Sequence, residues 1–189
     1  MTSVHDAEPT SDEPQDSVDR ESEAWLAELP GIDAAIEAAR MRLQRIARQS
    51  ERMLSEIATR HGLTLGDWET LSILRRSGAP YTMTPSELMA ALNVTSGTVS
   101  VRIERLSQAG LIEPASSVAD GRSRPVRLTP EGKRRWRAAT DMRTVFEEQL
   151  FRRALDSEQI EQLNALLRAL MLEWEAELGP PPRRSDDRS

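Results

Sequence analysis

Apolar residues recur at alternating spacings of four and three positions from residue 32 onward, which predicts one long amphipathic helix. The stripe consists of Ile32, Ile36, Ala39, Leu43, Ile46, Ser50, Met53 and Ile57. This helix is expected to end at His61-Gly62, because a base suits the last turn and glycine readily adopts a left-handed cap. The same spacing near the C-terminus predicts a second long helix, with the stripe Ile160, Leu163, Leu167, Leu170 and Trp174.

Three short helices are predicted between the long ones, because clear start signals punctuate the middle of the chain. Thr64-Leu65-Gly66-Asp67 and Thr84-Pro85-Ser86-Glu87 both fit the capping box, in which a hydroxyl and a carboxylate satisfy each other's backbone N–H groups. The second segment also has proline at the first helical position. A third helix is expected to begin at Thr95 or Ser96 and to stop at Gly110.

The connections around the third helix are equally informative. Asn93 suits the tight turn before it, since asparagine tolerates positive φ better than any residue except glycine. After the helix the period becomes extended: Leu111-Ile112 leads to the turn dipeptide Asp120-Gly121, and Val126-Arg127-Leu128 returns. A β-hairpin is therefore predicted here, and Thr129-Pro130-Glu131 opens the next helix.

This order of elements predicts a mainly α fold with a small β-wing. A winged helix-turn-helix lobe spans 63–130, N-terminal dimerisation helices span 20–62, and C-terminal dimerisation helices span 131–178. Residues 1–19 and 179–189 contain too few apolar side chains to offset the entropy of ordering, so both tails are expected to be disordered. The two long stripes either pack against each other or pack across a two-fold axis. We favour the second arrangement, a homodimer, because the stripes flank a lobe with its own core.

Charge is distributed unevenly along the chain. The formal net charge is −6, but the first 30 residues hold nine acids against one base, a balance of −8. Between Thr95 and Arg137 nine bases face four acids, which gives +5. A local basic segment of this kind is what binding to nucleic acid requires, whereas the acidic N-terminal tail either adds solubility or competes with DNA for the basic surface.

The third helix has the composition of a DNA-recognition helix. Such a helix lies in the major groove and presents its first turns to base edges and phosphates, where hydroxyls and guanidinium groups form hydrogen bonds. The side chains that we expect to be exposed for this purpose are Thr95, Ser96, Gly97, Thr98, Ser100, Val101, Arg102 and Arg105.

These motifs resemble those of the MarR family of multiple-antibiotic-resistance-type regulators, over the region from Ile32 to Trp174. Asp120-Gly121-Arg122, followed by Leu128-Thr129-Pro130-Glu131-Gly132, is similar to the family's wing signature of Asp-x-Arg and Leu-Thr-x-x-Gly. The resemblance implies that Asp120 stabilises the wing by pairing with an arginine, and that Arg122 or Arg124 enters the minor groove. A narrow minor groove concentrates negative potential, which favours that role. The family's usual mode of action is repression.

The resemblance also implies a ligand, namely a small phenolic or aromatic anion that binds between the dimer helices and the lobe and weakens DNA binding. The urate-responsive branch of the family has a tryptophan before the dimer helix, an aspartate and two arginines. Trp25 and Arg102 fit this pattern and Glu69 keeps the carboxylate, while Pro114 stands where the second arginine is expected. Trp68 is a further candidate, with an ordinary core position as its alternative.

Other classes of function lack the residues that they need. The chain has no cysteine, and neither His5 nor His61 belongs to a cluster with metal-ligand spacing. No predicted strand is followed by a Gly-x-Gly-x-x-Gly turn. We therefore expect no enzyme, no cofactor and no metal. No apolar run of about 18 residues and no secretion signal are present, so the expected location is cytoplasmic and no membrane partner is predicted.

One alternative stays open, a winged helix that binds only protein. It predicts a third helix with exposed apolar residues, whereas the sequence predicts that this helix exposes hydroxyls and arginines. The favoured partner is therefore double-stranded DNA with a pseudo-palindromic operator.

Overall fold

The computed structural model describes residues 15–29, 31–115 and 124–179, and within these ranges the chain forms seven helices and three short strands. The helices are α1 (Ser17–Ala27), α2 (Ala34–Arg60), α3 (Leu65–Arg76), α4 (Pro85–Leu92), α5 (Ser96–Gln108), α6 (Pro130–Ala154) and α7 (Ser157–Leu178). The strands are β1 (Thr82–Met83), β2 (Ile112–Pro114) and β3 (Val126–Leu128). The mainly α class with a small sheet is confirmed. The chain divides into two compact units between Arg52 and Met53, and each is described by itself.

The first unit contains α1 and the first part of α2. The Asp16 carboxylate caps α1 by accepting the backbone N–H groups of Val18 and Asp19. Arg42 of α2 pairs with the carboxylates of Asp16 and Asp19, and Val18 is 1% exposed. The prediction that residues 1–19 are disordered is therefore wrong for the last of them, because Asp16 caps α1 and the helix begins at Ser17. Composition did not reveal the partner in α2 that holds these acids. Residues 1–14 lie outside the described residues, as do 180–189 of the second predicted tail.

In the second unit, the predicted starts of α3, α4 and α5 and the left-handed positions at Gly62 and Asn93 are confirmed. The hydroxyls of Thr64 and Thr84 cap α3 and α4, and in each case the carboxylate three residues later accepts the backbone N–H of the capping threonine. Asn93 adopts the left-handed conformation, with φ +53°, between α4 and α5. Gly62 does the same after α2, with φ +67°. These features depend only on residues that are neighbours in the sequence, so they can be predicted without knowledge of the fold.

The three strands form an antiparallel sheet in the order β1-β3-β2. Val126 of β3 lies opposite both Met83 of β1 and Pro114 of β2. The predicted antiparallel pairing of the two hairpin strands, β2 and β3, is thus confirmed, while the turn at Asp120-Gly121 lies outside the described residues. Strand β1 was not predicted, because two residues are too short to show an alternating pattern.

The core of the second unit lies between α3, α4, α5 and the sheet. Its largest fully buried apolar side chains are Leu71, Leu74, Leu88, Leu106, Leu111 and Ile112. One apolar face of each short helix supplies the four leucines Leu71, Leu74, Leu88 and Leu106, whereas Leu111 and Ile112 belong to the segment that enters β2. Burial of these faces against the sheet stabilises the lobe. Ala139 of α6 joins the same cluster and is fully buried.

The remaining length of α6 and all of α7 expose large apolar side chains. Those of α6 are Met142, Val145, Phe146, Leu150 and Phe151. Those of α7 are Leu166, Leu167, Leu170, Met171, Leu172, Trp174 and Leu178. No residue of α7 is buried. Apolar faces of this extent are unusual on a monomeric protein and indicate an interaction surface.

Candidate nucleic-acid interface

The N-terminal end of α5 is held in a fixed conformation by its own cap. The Thr95 hydroxyl accepts the backbone N–H of Thr98 at 3.3 Å, and the two threonine hydroxyls lie 3.0 Å apart. Val99, which is 2% exposed, anchors this first turn to the core. The helix therefore presents its opposite side to solvent without needing to move.

The outer face of α5 consists of Gly97, Ser100, Val101 and Glu104, all of which are exposed. Thr95 and Ser96 are exposed at its N-terminal edge, whereas Thr98 is half-buried. A Cβ at Gly97 would have only the Thr95 hydroxyl within 4 Å, at 3.9 Å, so the space in front of this residue is open. The face thus combines a glycine and a serine hydroxyl with the apolar side chain of Val101 and the carboxylate of Glu104.

Arg102 does not lie on this outer face, and the prediction that it is exposed is wrong. The residue is 5% exposed, and its Nη1 donates to the Gly66 carbonyl at 3.3 Å. The same nitrogen is 3.6 Å from the Glu69 carboxylate. The physical reason is helical periodicity. Positions 99, 102 and 106 share one side of α5, and both Val99 and Leu106 are buried.

Arg105 is exposed, but it is not free to extend. Its guanidinium binds the buried Asp67 carboxylate through Nε at 3.0 Å and Nη2 at 2.6 Å, and Nη2 also donates to the Thr64 hydroxyl at 2.9 Å. Asp67 is the capping-box carboxylate of α3, so one side chain both starts α3 and fixes α5 against it. The cap is predictable from the sequence, whereas the ion pair is not, because nothing local in α5 indicates the partner of Arg105.

Asp67→Ala is expected to lower the free energy of unfolding by about 2 kcal/mol, because the helix cap and the charged hydrogen bonds to Arg105 are lost together. Glu87 holds the equivalent position in the box of α4 and is exposed. Glu87→Ala should therefore cost only about 0.5 to 1 kcal/mol. Urea unfolding monitored by circular dichroism measures both values, and equal costs would show that the Arg105 pair adds nothing.

The wing is described only at its base. Arg124 is exposed, and the strands β2 and β3 are bridged by Glu113 and Arg127, whose atoms approach to 2.7 Å. Asp120 and Arg122 lie outside the described residues. Their roles in stabilising the wing and in entering the minor groove stay predictions.

Two of the residues predicted to bind a ligand line a cavity of about 520 Å³ beside α3, β1 and α4. The lining residues are Trp68, Glu69, Ser72, Ile73, Arg76, Ser77, Met83, Ala91 and Leu92. Trp68 also packs against the core, and its Nε1 donates to the Thr140 hydroxyl at 3.1 Å. Arg102 contacts Glu69 but is not among the lining residues.

Trp25, the fourth predicted ligand residue, has a role within the first unit. Its Nε1 donates to the Glu37 carboxylate at 3.0 Å, and Arg40 donates to both oxygens of the same group. The Arg40 guanidinium, together with the Trp25 N–H, lowers the pKa of Glu37 from 4.5 to about 2. Arg42 likewise lowers the pKa of Asp16 to about 2, assisted by backbone N–H groups.

Acid should release α1 from α2. Because these carboxyl groups have a lower pKa in the folded unit than in the unfolded chain, their stabilisation is complete above about pH 4.5 and is lost as the pH falls towards 2. The ¹⁵N–¹H resonance of the Trp25 indole should move to a solvent-exposed position in that window. Glu37→Gln keeps an acceptor that does not titrate and should make this resonance less dependent on pH. A Trp25 signal unchanged at pH 2 would contradict the assignment.

Among the described residues, no three histidines or carboxylates come together in a group that could hold a metal ion. The helices within those ranges also include none with the length and apolar character needed to cross a bilayer.

Comparison with known proteins agrees with the architecture. Residues 61–123 match the model of the MarR family. The HTH-type transcriptional regulator PecS of Dickeya dadantii is 32% identical over 108 residues, which is 57% of this chain and 65% of that protein. The match thus spans slightly less than two thirds of the relative's length.

Solved structures show the same fold. Wild-type MarR from E. coli in its apo form has a TM-score of 0.61 at 21% identity, over 69% of this chain and 94% of that chain. YusO from Bacillus subtilis has a TM-score of 0.62 at 21% identity, over 74% and 96%. A MarR mutant from E. coli complexed with operator DNA has a TM-score of 0.57 at 22% identity, over 72% and 95%. The relative is named as a regulator and not as an enzyme, and the predicted winged helix-turn-helix architecture is confirmed.

Proposed function

We propose that the protein is a homodimeric, sequence-specific DNA-binding transcriptional regulator of the MarR type, because residues 61–123 match the model of that family and the lobe has the same fold as solved MarR structures. The observation that carries the proposal is the exposed outer face of α5 at the end of a helix-turn-helix. A regulator of chromosomal genes works where the DNA lies, which for a bacterial cell is the cytoplasm. Repression is the mode that we favour.

The contacts that we propose follow from the geometry of α5. Thr95, Ser96 and Ser100 offer hydroxyls at and near its N-terminus, and Gly97 lets a phosphate or a base edge approach the backbone closely. Arg124, at the base of the wing, supplies an exposed cation. Arg122 is proposed to act with it in the minor groove.

The proposed partner in the dimer is a second copy of this chain. The exposed apolar side chains of α6 and α7 would leave water on association, and apolar burial is the main driving force for permanent dimers. In the first unit, the apolar side chains of Ile36, Leu43 and Ile46 of α2 are also exposed. A two-fold dimer presents two α5 helices to two half-sites about one helical turn, roughly 34 Å, apart.

The test combines selection of genomic fragments, footprinting and light scattering. We expect a dimer that protects a pseudo-palindrome, with an affinity that falls steeply with salt. Arg122→Ala with Arg124→Ala should reduce the slope of log affinity against log salt by about 2 to 4 for the dimer. Arg152→Ala with Arg153→Ala, the same loss of charge at the end of α6, is the matched control. A monomer, or a protein that ignores every duplex at low salt, would overturn the proposal.

We also propose that a small aromatic or phenolic anion binds in the cavity beside α3 and α4 and weakens DNA binding. The volume is within the range of small-molecule sites, the Trp68 ring offers a stacking surface, and Arg76 offers a cation. Glu69 opposes an anion, although Arg102 partly neutralises it. Titration with an aromatic carboxylate and with its neutral amide tests the charge preference. Arg76→Ala should abolish that preference if the site is correct.

One observation favours the alternative, a winged helix that binds protein. Val101 is 60% exposed on α5, and Arg102, which was expected beside it, is buried. The surface is thus less basic and more apolar than the sequence suggested. The duplex selection described above separates the two functions, because a protein-binding module would select no DNA sequence.

A further inference from the structure

We propose that Val101 is a specificity-determining residue that selects thymine by contacting its C5-methyl group in the major groove. The inference rests on the proposed DNA-binding function and deepens it. It names which base the outer face of α5 favours and which side chain makes the choice.

The position of Val101 is the first reason. On the helix it lies four residues after Gly97 and three before Glu104, so these three share the side that faces away from the core. Val101 is 60% exposed, while Val99 and Leu106 on the opposite side are 2% and 1% exposed. The outer face therefore carries one apolar side chain near its centre, and that side chain is not part of the buried core cluster of the lobe.

The second reason is that the two arginines of α5 are already engaged. Arg102 is buried against Gly66 and Glu69, and Arg105 is held by Asp67 and Thr64. Reading of guanine by an arginine requires a guanidinium group that extends into the groove with both donors available. As arranged here, the centre of the outer face offers a methyl-bearing side chain and the Ser100 hydroxyl, which donates to the Ser96 carbonyl at 2.9 Å.

Thymine is the base that this surface fits. Its C5-methyl group is the one apolar feature that a standard base presents in the major groove, and apolar side chains contact it in known complexes. Burial of one methyl group against valine is expected to favour thymine by about fourfold in each half-site. For a dimer on two half-sites, the preference becomes about fifteenfold.

The experiment replaces thymine by deoxyuridine in the selected operator, one symmetric pair of positions at a time. Deoxyuridine pairs with adenine as thymine does and lacks only the methyl group. The full-length protein should lose about fifteenfold in affinity at one pair of positions, since one methyl contact is lost per half-site. Val101→Ala, which removes two of the valine methyl groups and shortens the apolar side chain, should show a clearly smaller difference in affinity between the thymine and deoxyuridine duplexes at that position.

Ser107→Ala, a change at another exposed position of α5, is the control and should keep the full sensitivity to deoxyuridine. Circular dichroism checks that each variant is folded, and alanine on an exposed helix face is not expected to disturb folding. Two results would overturn the inference: no pair of positions at which deoxyuridine weakens binding, or undiminished sensitivity in Val101→Ala. In both cases specific binding of the thymine operator would still stand, whereas failure to select any duplex would reject the proposed function itself.

Discussion

Gly132→Ala is expected to destabilise the lobe by about 3 kcal/mol or more, because the added methyl group would overlap backbone atoms of Leu111. Gly132 is buried in the first turn of α6. A Cβ there would overlap the carbonyl oxygen of Leu111 and lie 2.9 Å from its carbonyl carbon. These Leu111 atoms belong to the backbone and not to the end of a flexible side chain. The overlap can therefore be removed only if α6 or the backbone at Leu111 shifts.

The surroundings of Gly132 leave little room for such a shift. The Thr129 hydroxyl donates to the Gly110 carbonyl at 2.7 Å and accepts the Gly132 N–H at 3.0 Å. The Thr129 N–H donates to the Leu111 carbonyl at 3.1 Å. These bonds fix the start of α6 against the chain entering β2, and movement of α6 breaks them.

Urea unfolding followed by circular dichroism measures the effect of Gly132→Ala. Gly97→Ala is the matched control, since the same methyl group would enter open space at an exposed helical position. We expect the control to be neutral or to raise the free energy of unfolding by up to about 1 kcal/mol, because alanine favours helix. Similar midpoints for the two variants would show that α6 and Leu111 are not in close contact.

Ser100→Glu is expected to reduce operator affinity by at least about a hundredfold while leaving the fold unchanged. The dimer would present two additional carboxylates to a duplex that carries dense negative charge, and a larger side chain would fill the space that the small hydroxyl leaves for the groove. Ser100 is exposed within α5, and glutamate is a good helix former, so the substitution is not expected to lower the free energy of unfolding.

Ser157→Glu is the control for charge. It makes the same substitution at the exposed first residue of α7, where a carboxylate is compatible with the helix dipole. Both variants alter net charge equally, so a difference between them reports position and not overall repulsion. Fluorescence anisotropy with labelled operator provides the measurement. If the two variants bind equally well, α5 is not the surface that meets DNA.

Local features of the fold could be predicted from sequence because their causes are local. The capping boxes at Thr64 and Thr84, the left-handed Asn93 and the proline at the start of α6 each depend on a few neighbouring residues. The pairing of β2 with β3 followed from two short apolar segments on either side of a turn signal. The position of the candidate interface on α5 was therefore predictable.

The details of that interface were less predictable, because they depend on contacts between distant segments. The sequence predicted that Arg102 contacts bases, but α3 covers this residue, and its guanidinium donates to the Gly66 carbonyl. Asp67 looked like a cap and is also the partner of Arg105, 38 residues away. Composition assigned Asp16 and Asp19 to a disordered tail, and Arg42 holds them in a helix cap.

The amino-acid sequence by itself determined where the helices of the lobe begin and turn, since capping, left-handed turns and hydrophobic periodicity are short-range effects. Only the tertiary structure decided which polar side chains of α5 face solvent. Burial and ion pairing bring together residues far apart in sequence, and the free energy of a guanidinium group depends on the groups that surround it. The result is an outer face with Ser100 and Val101 at its centre, where the linear sequence had suggested arginine.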